Sequence, residues 1–374
     1  MKKLVRYSRS ISVIMMLLVP CFGYAATPEI KWSGFATLGT SFTNSETTYI
    51  DQVDRDGSYL DTRLGLNLST RLSSKLTLGA QILTAGRENE FDAHADWVFA
   101  RYTATNNISL LFGKMKYPNL LFSEFYDVGN VYPWARAPQE VYNLEGGGAN
   151  ALYEAMQGGS VISTFEPADD VELSFQAYFG SADSGLGEIN KMFGLVANLQ
   201  TESMQFKLGF NRGTLIPGAG GHGAEEEEEE EEEGAEAFPD WDGATPEKNV
   251  LSASMMIEEG NLLVLAEYTN TQFDGFDDYE IAAGYATIGY SVDKLMPSIT
   301  VAKLKREDGL EQVSTTVGLR YAMSSMVSVK FDVSRIVVEP ATELADDHDP
   351  AGLFFGGTPE KDVLMGTFTL GVAF

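Results

Sequence analysis

The sequence predicts an all-β fold, a transmembrane antiparallel β-barrel of about sixteen strands. Three observations predict it. Apolar and polar residues alternate with period two in segment after segment, the pattern of a strand with two unlike faces. The connections between these segments alternate short and long, in constant phase along the chain. Beyond the first 26 residues no run of 18 apolar residues offers a membrane helix, whereas a barrel needs only alternate residues to meet lipid.

The first residues stand apart from this pattern. Lys2, Lys3, Arg6 and Arg9 are followed by an apolar run from Ile11 to Val19 and by the small-x-small patterns Gly23-Tyr24-Ala25 and Tyr24-Ala25-Ala26. These are the parts of a cleaved export signal, expected over 1–26, with the barrel over 27–374. Pro20 before Cys21 does not suit a lipoprotein site. Cys21 is the only cysteine, so the remaining chain has no disulfide or thiol chemistry.

Strands are expected at 30–42, 58–72, 75–87, 94–104, 108–116, 150–165, 171–180, 189–200, 204–213, 248–258, 262–272, 279–291, 296–306, 312–322, 326–338 and 363–374. The clearest is Tyr59 to Leu72. Leu60, Leu64, Leu66, Leu68 and Leu72 point one way, and Asp61, Arg63, Asn67, Ser69 and Arg71 the other. Charges recurring opposite unbroken leucines suit a wet lumen on one side and lipid on the other. The same parity turns Ser314, Thr316, Gly318 and Arg320 inward, and Ser328, Lys330 and Asp332 after them. Trp32, Tyr59, Phe210, Tyr268 and Phe374 fall near strand ends, where interfacial aromatics belong. An even strand number lets both ends of the barrel lie on one side of the membrane.

Short turns are expected at Ser73-Ser74, Asn106-Asn107, Thr201-Glu202, Glu259-Gly260, Val292-Asp293 and Ser324-Ser325, and long loops at 43–57, 117–149, 214–247 and 339–362. The 117–149 loop is too apolar to stand in solvent. Leu120, Leu121, Phe122, Phe125, Tyr126, Tyr132 and Trp134 need a surface, and folding into the barrel supplies one. It also carries Glu124, Asp127, Glu140 and Glu145 beside Arg136. The 214–247 loop holds nine consecutive glutamates, Glu225 to Glu233, an extended solvated brush or a loose cation concentrator.

The chain has 374 residues, 54 acidic and 26 basic; without 1–26 it holds 22 basic residues against 54 acidic, a net charge of −32. That balance excludes nucleic acid as a partner. His94, His222 and His348 are scattered, so no metal or cofactor site is expected. Ser123 and Asp92 could be set beside His94 as a catalytic group, but their spacing does not support it.

The amphipathic last strand, VLMGTFTLGVAF, ends in Phe374 and resembles the terminal signal of bacterial outer-membrane barrels. Gly113-Lys114-Met115 and Glu145-Gly146-Gly147-Gly148 resemble the entry and exit of the third extracellular loop in general porins. YPWARAPQEVY is similar to a stretch in porin-like outer-membrane proteins of marine gammaproteobacteria. The resemblance implies an inward-folded third extracellular loop, a homotrimer surrounded by outer-membrane lipid, and passive diffusion of small hydrophilic solutes and ions. It further implies a transverse field at a pore constriction. Glu124, Asp127 and Glu140 would stand on the loop, with Arg136 pinning it, against a basic wall of Arg63, Arg71, Lys114, Arg320 and Lys330. The same charges would also serve simply to neutralise one another in a polar lumen. Two further functions stay open: a channel specific for a sugar or organic acid that slides over Tyr126, Tyr132 and Trp134, and a barrel that only anchors the acidic loop for cation or partner binding. The surplus of acid favours cations.

Overall fold

Strand β1 (Ile30–Thr43) lies between the last strand and the third, so the sheet has no free edge. The computed structural model describes residues 29–50, 52–86, 91, 93–143, 152–184, 187–217, 245–274, 279–339, 352–355, 357, 359 and 362–374. The expected export segment, Glu145–Gly148 and the glutamate run lie outside the described residues. In chain order β1 is followed by β2 (Thr48–Tyr49), β3 (Arg63–Arg71), β4 (Leu76–Ala85), β5 (Ala93–Thr103), β6 (Ile108–Lys116), α1 (Gln139–Tyr142), β7 (Ala155–Ala168), β8 (Val171–Ser184), β9 (Gly187–Thr201), β10 (Met204–Pro217), β11 (Glu247–Glu259), β12 (Leu262–Asp274), β13 (Tyr279–Tyr290), β14 (Leu295–Arg306), β15 (Glu311–Ala322), β16 (Val327–Glu339), β17 (Phe354–Phe355) and β18 (Val363–Ala373). All except β2 and β17 join in one closed antiparallel barrel of sixteen strands, in the order β1-β18-β16 and then down the chain to β3. Closure satisfies the backbone groups that a sheet edge would leave bare in hydrocarbon.

Burial follows the predicted parity. Along β14, Ile299 and Val301 are exposed while Ser298 and Thr300 are buried. In β16, Phe331 and Val333 face out, and Ser328, Lys330, Asp332 and Ser334 face in. This is the reverse of a water-soluble protein, and it follows from the solvent: the outer face meets lipid. A Lys or Arg there costs about 2–4 kcal/mol at mid-bilayer. The outward charges Arg212, Lys303, Lys305 and Arg335 accordingly fall towards the long-loop ends of their strands. At the short-turn ends stand the exposed rings of Trp32, Tyr102, Tyr290, Tyr321 and Phe374.

The short turns are set by local side-chain chemistry. Ser73 Oγ accepts from the backbone N–H of Lys75 and Leu76, Thr105 Oγ1 from Asn107 and Ile108, and Ser324 Oγ from Met326 and Val327. Each hydroxyl thus replaces a missing backbone partner. Gly260 takes φ +59°, which suits a tight turn after β11.

Several expected strands differ from those observed in their bounds; β8 and β10 run four residues further than expected, to Ser184 and Pro217. The strand expected over 58–72 starts only at Arg63. Thr62 Oγ1 both donates to the Gly39 carbonyl (2.9 Å) and accepts from its N–H (3.0 Å), in place of ladder pairing. A Cβ at Gly39 would lie 2.5 Å from Cβ of Asp61, so only glycine allows this close crossing. Leu60 is therefore partly buried against the interior and does not face lipid. The strand expected over 150–165 runs from Ala155 to Ala168. The pairing of β2 with β17 was not expected. It joins two long loops, with Ile50 N–H on the Leu353 carbonyl at 2.7 Å and the Tyr49 and Phe354 rings 5.0 Å apart.

Candidate functional site

Between β6 and β7 the chain leaves the wall and crosses the lumen. Tyr117, Leu120, Trp134, Val141 and Tyr142 are at most 1% exposed, so the insert is a packed core inside the barrel. Its aromatic rings hold one another: Tyr126 and Tyr142 stack at 5.9 Å, and Trp134 meets Tyr285 of β13 edge-on at 5.2 Å. Each such pair contributes about 0.5–1.5 kcal/mol beyond its burial.

The lumen wall anchors the insert through polar groups. Lys330 Nζ donates to the carbonyls of Tyr132 and Trp134, both at 2.8 Å, and to that of Gly129. Two residues along β16, Asp332 Oδ2 accepts from the N–H groups of Ala135 (2.7 Å) and Arg136 (3.4 Å). Trp134 Nε1 donates to Thr300 Oγ1 at 2.8 Å and Thr287 Oγ1 at 3.2 Å. Glu267 of β12 accepts from Leu121 N–H (2.7 Å), Ser254 Oγ (2.6 Å), the Tyr285 hydroxyl (2.8 Å) and the Tyr142 hydroxyl. Buried polar groups are expensive unless partnered, and here each wall group meets one on the insert.

The charges meet in two groups. Arg136 grips Asp61 with two parallel bonds, Nε to Oδ1 at 2.8 Å and Nη2 to Oδ2 at 2.6 Å, and Ser41 Oγ adds a third contact to the carboxylate at 2.6 Å. Burial alone would raise the Asp61 carboxyl, but the Arg136 guanidinium outweighs it and holds the group below the usual carboxylate value. In the second group Asp127 accepts from Arg63 Nη1 at 3.0 Å and from Lys116 Nζ at 2.7 Å. Lys116 also reaches Asp96 at 2.7 Å and pairs with Glu154. The Arg63 guanidinium lies 4.5 Å from the Tyr126 ring centre. The carboxylate oxygens of Asp96, Asp127 and Glu154 lie within 4.8 Å of one another, a metal-like spacing. The Lys116 ammonium is the cation they share. The space left between the two groups is only about 10 Å³, room for no more than a water.

The other expected constriction residues are dispersed. Glu140 is buried on α1, accepts from Gln312 Nε2 at 3.0 Å, and is raised by burial despite that bond. Glu124 is 3.9 Å from Lys207, and its side chain is 42% exposed. Arg320 is half-buried beneath the insert, with Nη2 at 3.4 Å from the Asn130 carbonyl. Arg71 ends β3, on the order of 27 Å of strand beyond Arg63 at about 3.4 Å per residue, and is exposed. Lys114 departs from the expected inner wall. It pairs in register with outward-facing Val98 and reaches the Ala95 carbonyl at 3.0 Å, so it lies on the outer side. Its neighbour Lys116 takes the inner role, along with Asp61, Asp96, Glu154, Glu267 and Asp332, none of which the sequence reading assigned to a constriction. For Asp61 and Asp332 the inward parity was the available signal. Asp96 escapes it because it is the extra residue of a bulge, where Gln81 pairs with Trp97 and Ile82 with Ala95. Ser123 is fully buried and donates to the Tyr117 carbonyl at 2.5 Å, a loop-closing bond.

The sequence profile of the Gram-negative porin family matches residues 12–338. No curated protein sequence is a significant match. Among solved structures, an anion-selective porin from Comamonas acidovorans shares the fold at TM-score 0.61 and 12% identity, covering 93% of this chain and 100% of that one. The outer membrane channel DcaP of Acinetobacter baumannii is similar at TM-score 0.58 and 10% identity, covering 95% and 100%. A trimer form of OmpT, an outer membrane protein of Vibrio cholerae, is similar at TM-score 0.53 and 14% identity, covering 93% and 100%.

Proposed function

Since this chain belongs to the Gram-negative porin family, and is thereby an integral outer-membrane channel for passive diffusion of small hydrophilic solutes and ions, we propose that the insert after β6 sets the size and charge of what passes. The observation that supports this most is the fixing of the insert to the lumen wall by Lys330, Asp332, Arg136 and Asp61. A segment so held cannot swing aside as a solute arrives, so it defines a fixed opening. In this reading Arg63, Asp127, Arg136 and Lys330 build the constriction frame, and Glu124 with the 54%-exposed Phe125 stands on its solvent side. Arg71 and Arg320 act on the approach to it, Glu140 seats the insert, and Lys114 has no part.

The protein works as a channel and not as an enzyme, and it assembles as a homotrimer, as the Vibrio cholerae relative does. The net charge of −32 outside 1–26 favours cations. A saturable sugar or organic-acid path over Tyr126, Tyr132 and Trp134 is not favoured, because those rings are at most 7% exposed. Planar-bilayer recording of the purified protein tests the proposal. Ohmic steps in groups of three, with a cation-selective reversal potential in a salt gradient, are expected. An anion-selective potential would refute the cation preference, and silence from a folded barrel would refute the open constriction. Deleting 222–236 is expected to leave the conductance step unchanged; if surface binding of a partner or cation is lost while conductance stays, the acidic loop is the working part and the barrel its anchor.

A further inference from the structure

We propose that the short-turn mouth of the lumen carries a binding site for a polyvalent oxyanion, such as a phosphate-bearing solute, built by Arg71 and Arg101 with Lys31 beside them. Strand parity turns all three inward. Arg71 keeps the parity of Arg63, which reaches Asp127 inside the barrel. Arg101 pairs in register with Leu111 and lies two residues after Phe99, and both of these pack against the interior core. Lys31 pairs with Ser69 and lies four residues before Phe35, an interior ring only 2% exposed. Thr77 of β4 pairs with Arg71 on one side and with Arg101 on the other. The two arginines are therefore two strand spacings apart, about 10 Å between backbones. Both side chains can meet one anion above the Thr77 hydroxyl.

The protein itself does not neutralise these cations. All three are exposed, and among the described residues none forms an ion pair. Arg101 Nη2 donates only to Ser109 Oγ, at 3.3 Å. Arg63, Lys116 and Arg136, by contrast, each hold a carboxylate. Two anions lie near enough to weaken the site. Ile30 pairs with Thr70, so Glu29 falls opposite Arg71. The chain terminus at Phe374, bonded to Gly34 N–H at 2.8 Å, lies three residues along from Lys31. Neither is beside Arg101. On its other side the register of Arg101 runs through Leu111 and Ser160 to Tyr178. Glu166 and Glu172 are six residues further along their strands, on the order of 20 Å away. That exceeds the screening length of about 8 Å at physiological salt. The rest of the chain repels anions, with a net charge of −32 outside 1–26, so an oxyanion that binds has this patch to bind to. Guanidinium forks match the oxygens of phosphate groups, and two forks favour a ligand with more than one such group. Short turns mark the periplasmic end, so the site would hold its ligand at the inner mouth.

Isothermal titration calorimetry of the detergent-solubilised protein with inorganic pyrophosphate, at low ionic strength, tests this. Saturable binding is expected, and orthophosphate should bind more weakly. Arg71→Gln with Arg101→Gln should weaken pyrophosphate binding roughly tenfold or more, since it removes charge-assisted bonds from both forks. Glu29→Gln should tighten it by relieving Arg71. Lys75→Gln is the control and should change nothing: it removes the same charge from the same rim, but its ammonium lies over the outward Tyr102 ring, 6.0 Å from the centre. The substituted side chains are exposed, so the barrel is expected to fold in each variant, checked by heat-modifiable gel migration. Absence of saturable binding, an unchanged affinity in the double arginine variant, or equal affinity for the two phosphates would overturn the proposal. So would an equal loss in Lys75→Gln, which would make the effect one of general rim charge. Calorimetry does not depend on conductance, so this inference and the proposed constriction can fail separately.

Discussion

Replacing Lys330 by methionine removes the three hydrogen bonds that hold the Gly129, Tyr132 and Trp134 carbonyls to the wall. The side chain is 2% exposed, so water does not take over its partners. A net hydrogen bond contributes about 0.5–1.5 kcal/mol, and the three neutral carbonyls that lose their shared donor together set the loss at about 3 kcal/mol. Methionine nearly matches the lysine stem in volume, which keeps the cavity term small. A loss of about 3 kcal/mol raises the undocked fraction of the insert by roughly 150-fold, since each 1.4 kcal/mol is tenfold. In single-channel records the expected result is a larger mean conductance with added millisecond flicker. Lys75→Met, on an exposed short turn, is the control and should leave the trace unchanged. A folded Lys330→Met barrel with wild-type conductance and noise would show that Asp332, Arg136 and the aromatic packing suffice, and that the clamp argument is wrong.

Other changes test separate parts of the same frame. Gly39→Val should displace Asp61, because its Cβ would meet that of Asp61 at 2.5 Å; loss of the Arg136 bonds should follow, read as a lower Tm and a noisier channel. Trp134→Phe leaves Thr287 and Thr300 bonded to each other at 2.8 Å, so denaturation should show a loss of only about 1 kcal/mol. Glu140→Gln should stabilise the insert at neutral pH. The folded carboxyl is raised by burial, so its stabilising contribution is complete below the unfolded value and fades as pH rises through the raised one. Wild type should therefore gain stability on mild acidification and the variant should not; equal pH profiles would refute this. The Asp61–Arg136 pair has the opposite sign. Its carboxyl is lowered, so its contribution is present above the unfolded value near 3.9 and is lost only as pH falls through the lower folded one. Asp61→Asn should remove that acid-end loss from a Tm–pH profile.

Most of the barrel is legible in the sequence because period two is a local property. Leu64 and Arg63 are assigned to opposite faces by counting, and the structure puts them there. Counting fails where the backbone breaks its own period. Lys116 has the same parity as Lys114, yet it turns inward because the chain leaves the wall at that residue. Asp96 joins it through a bulge that no spacing announces. The β2–β17 pair is too short to carry a periodic signal, and it forms from loops that are far apart in sequence. The apolar character of 117–149 was enough to bring it into the barrel, but not to say which of its charges would meet which wall residue. That depends on packing of Trp134 against Thr287, Thr300 and Tyr285 across more than a hundred residues.

The pairing bears on selectivity. A transverse field needs facing charges that stay apart, with solvent between them. Arg63 and Lys116 are instead within 3.0 Å of Asp127, and Arg136 within 2.8 Å of Asp61. At such contact a pair presents a dipole to the pore and not two poles, and its field falls away within a few ångströms. The frame charges therefore act on passing ions chiefly by fixing the shape of the opening. Net selectivity is left to charges that keep their solvent exposure, such as Glu124 and Arg71. Neutralising Asp127 would release Arg63 and one contact of Lys116 together, and so should move the reversal potential towards anions. Neutralising Asp332, which meets only backbone N–H groups, should change conductance noise and leave the reversal potential where it was.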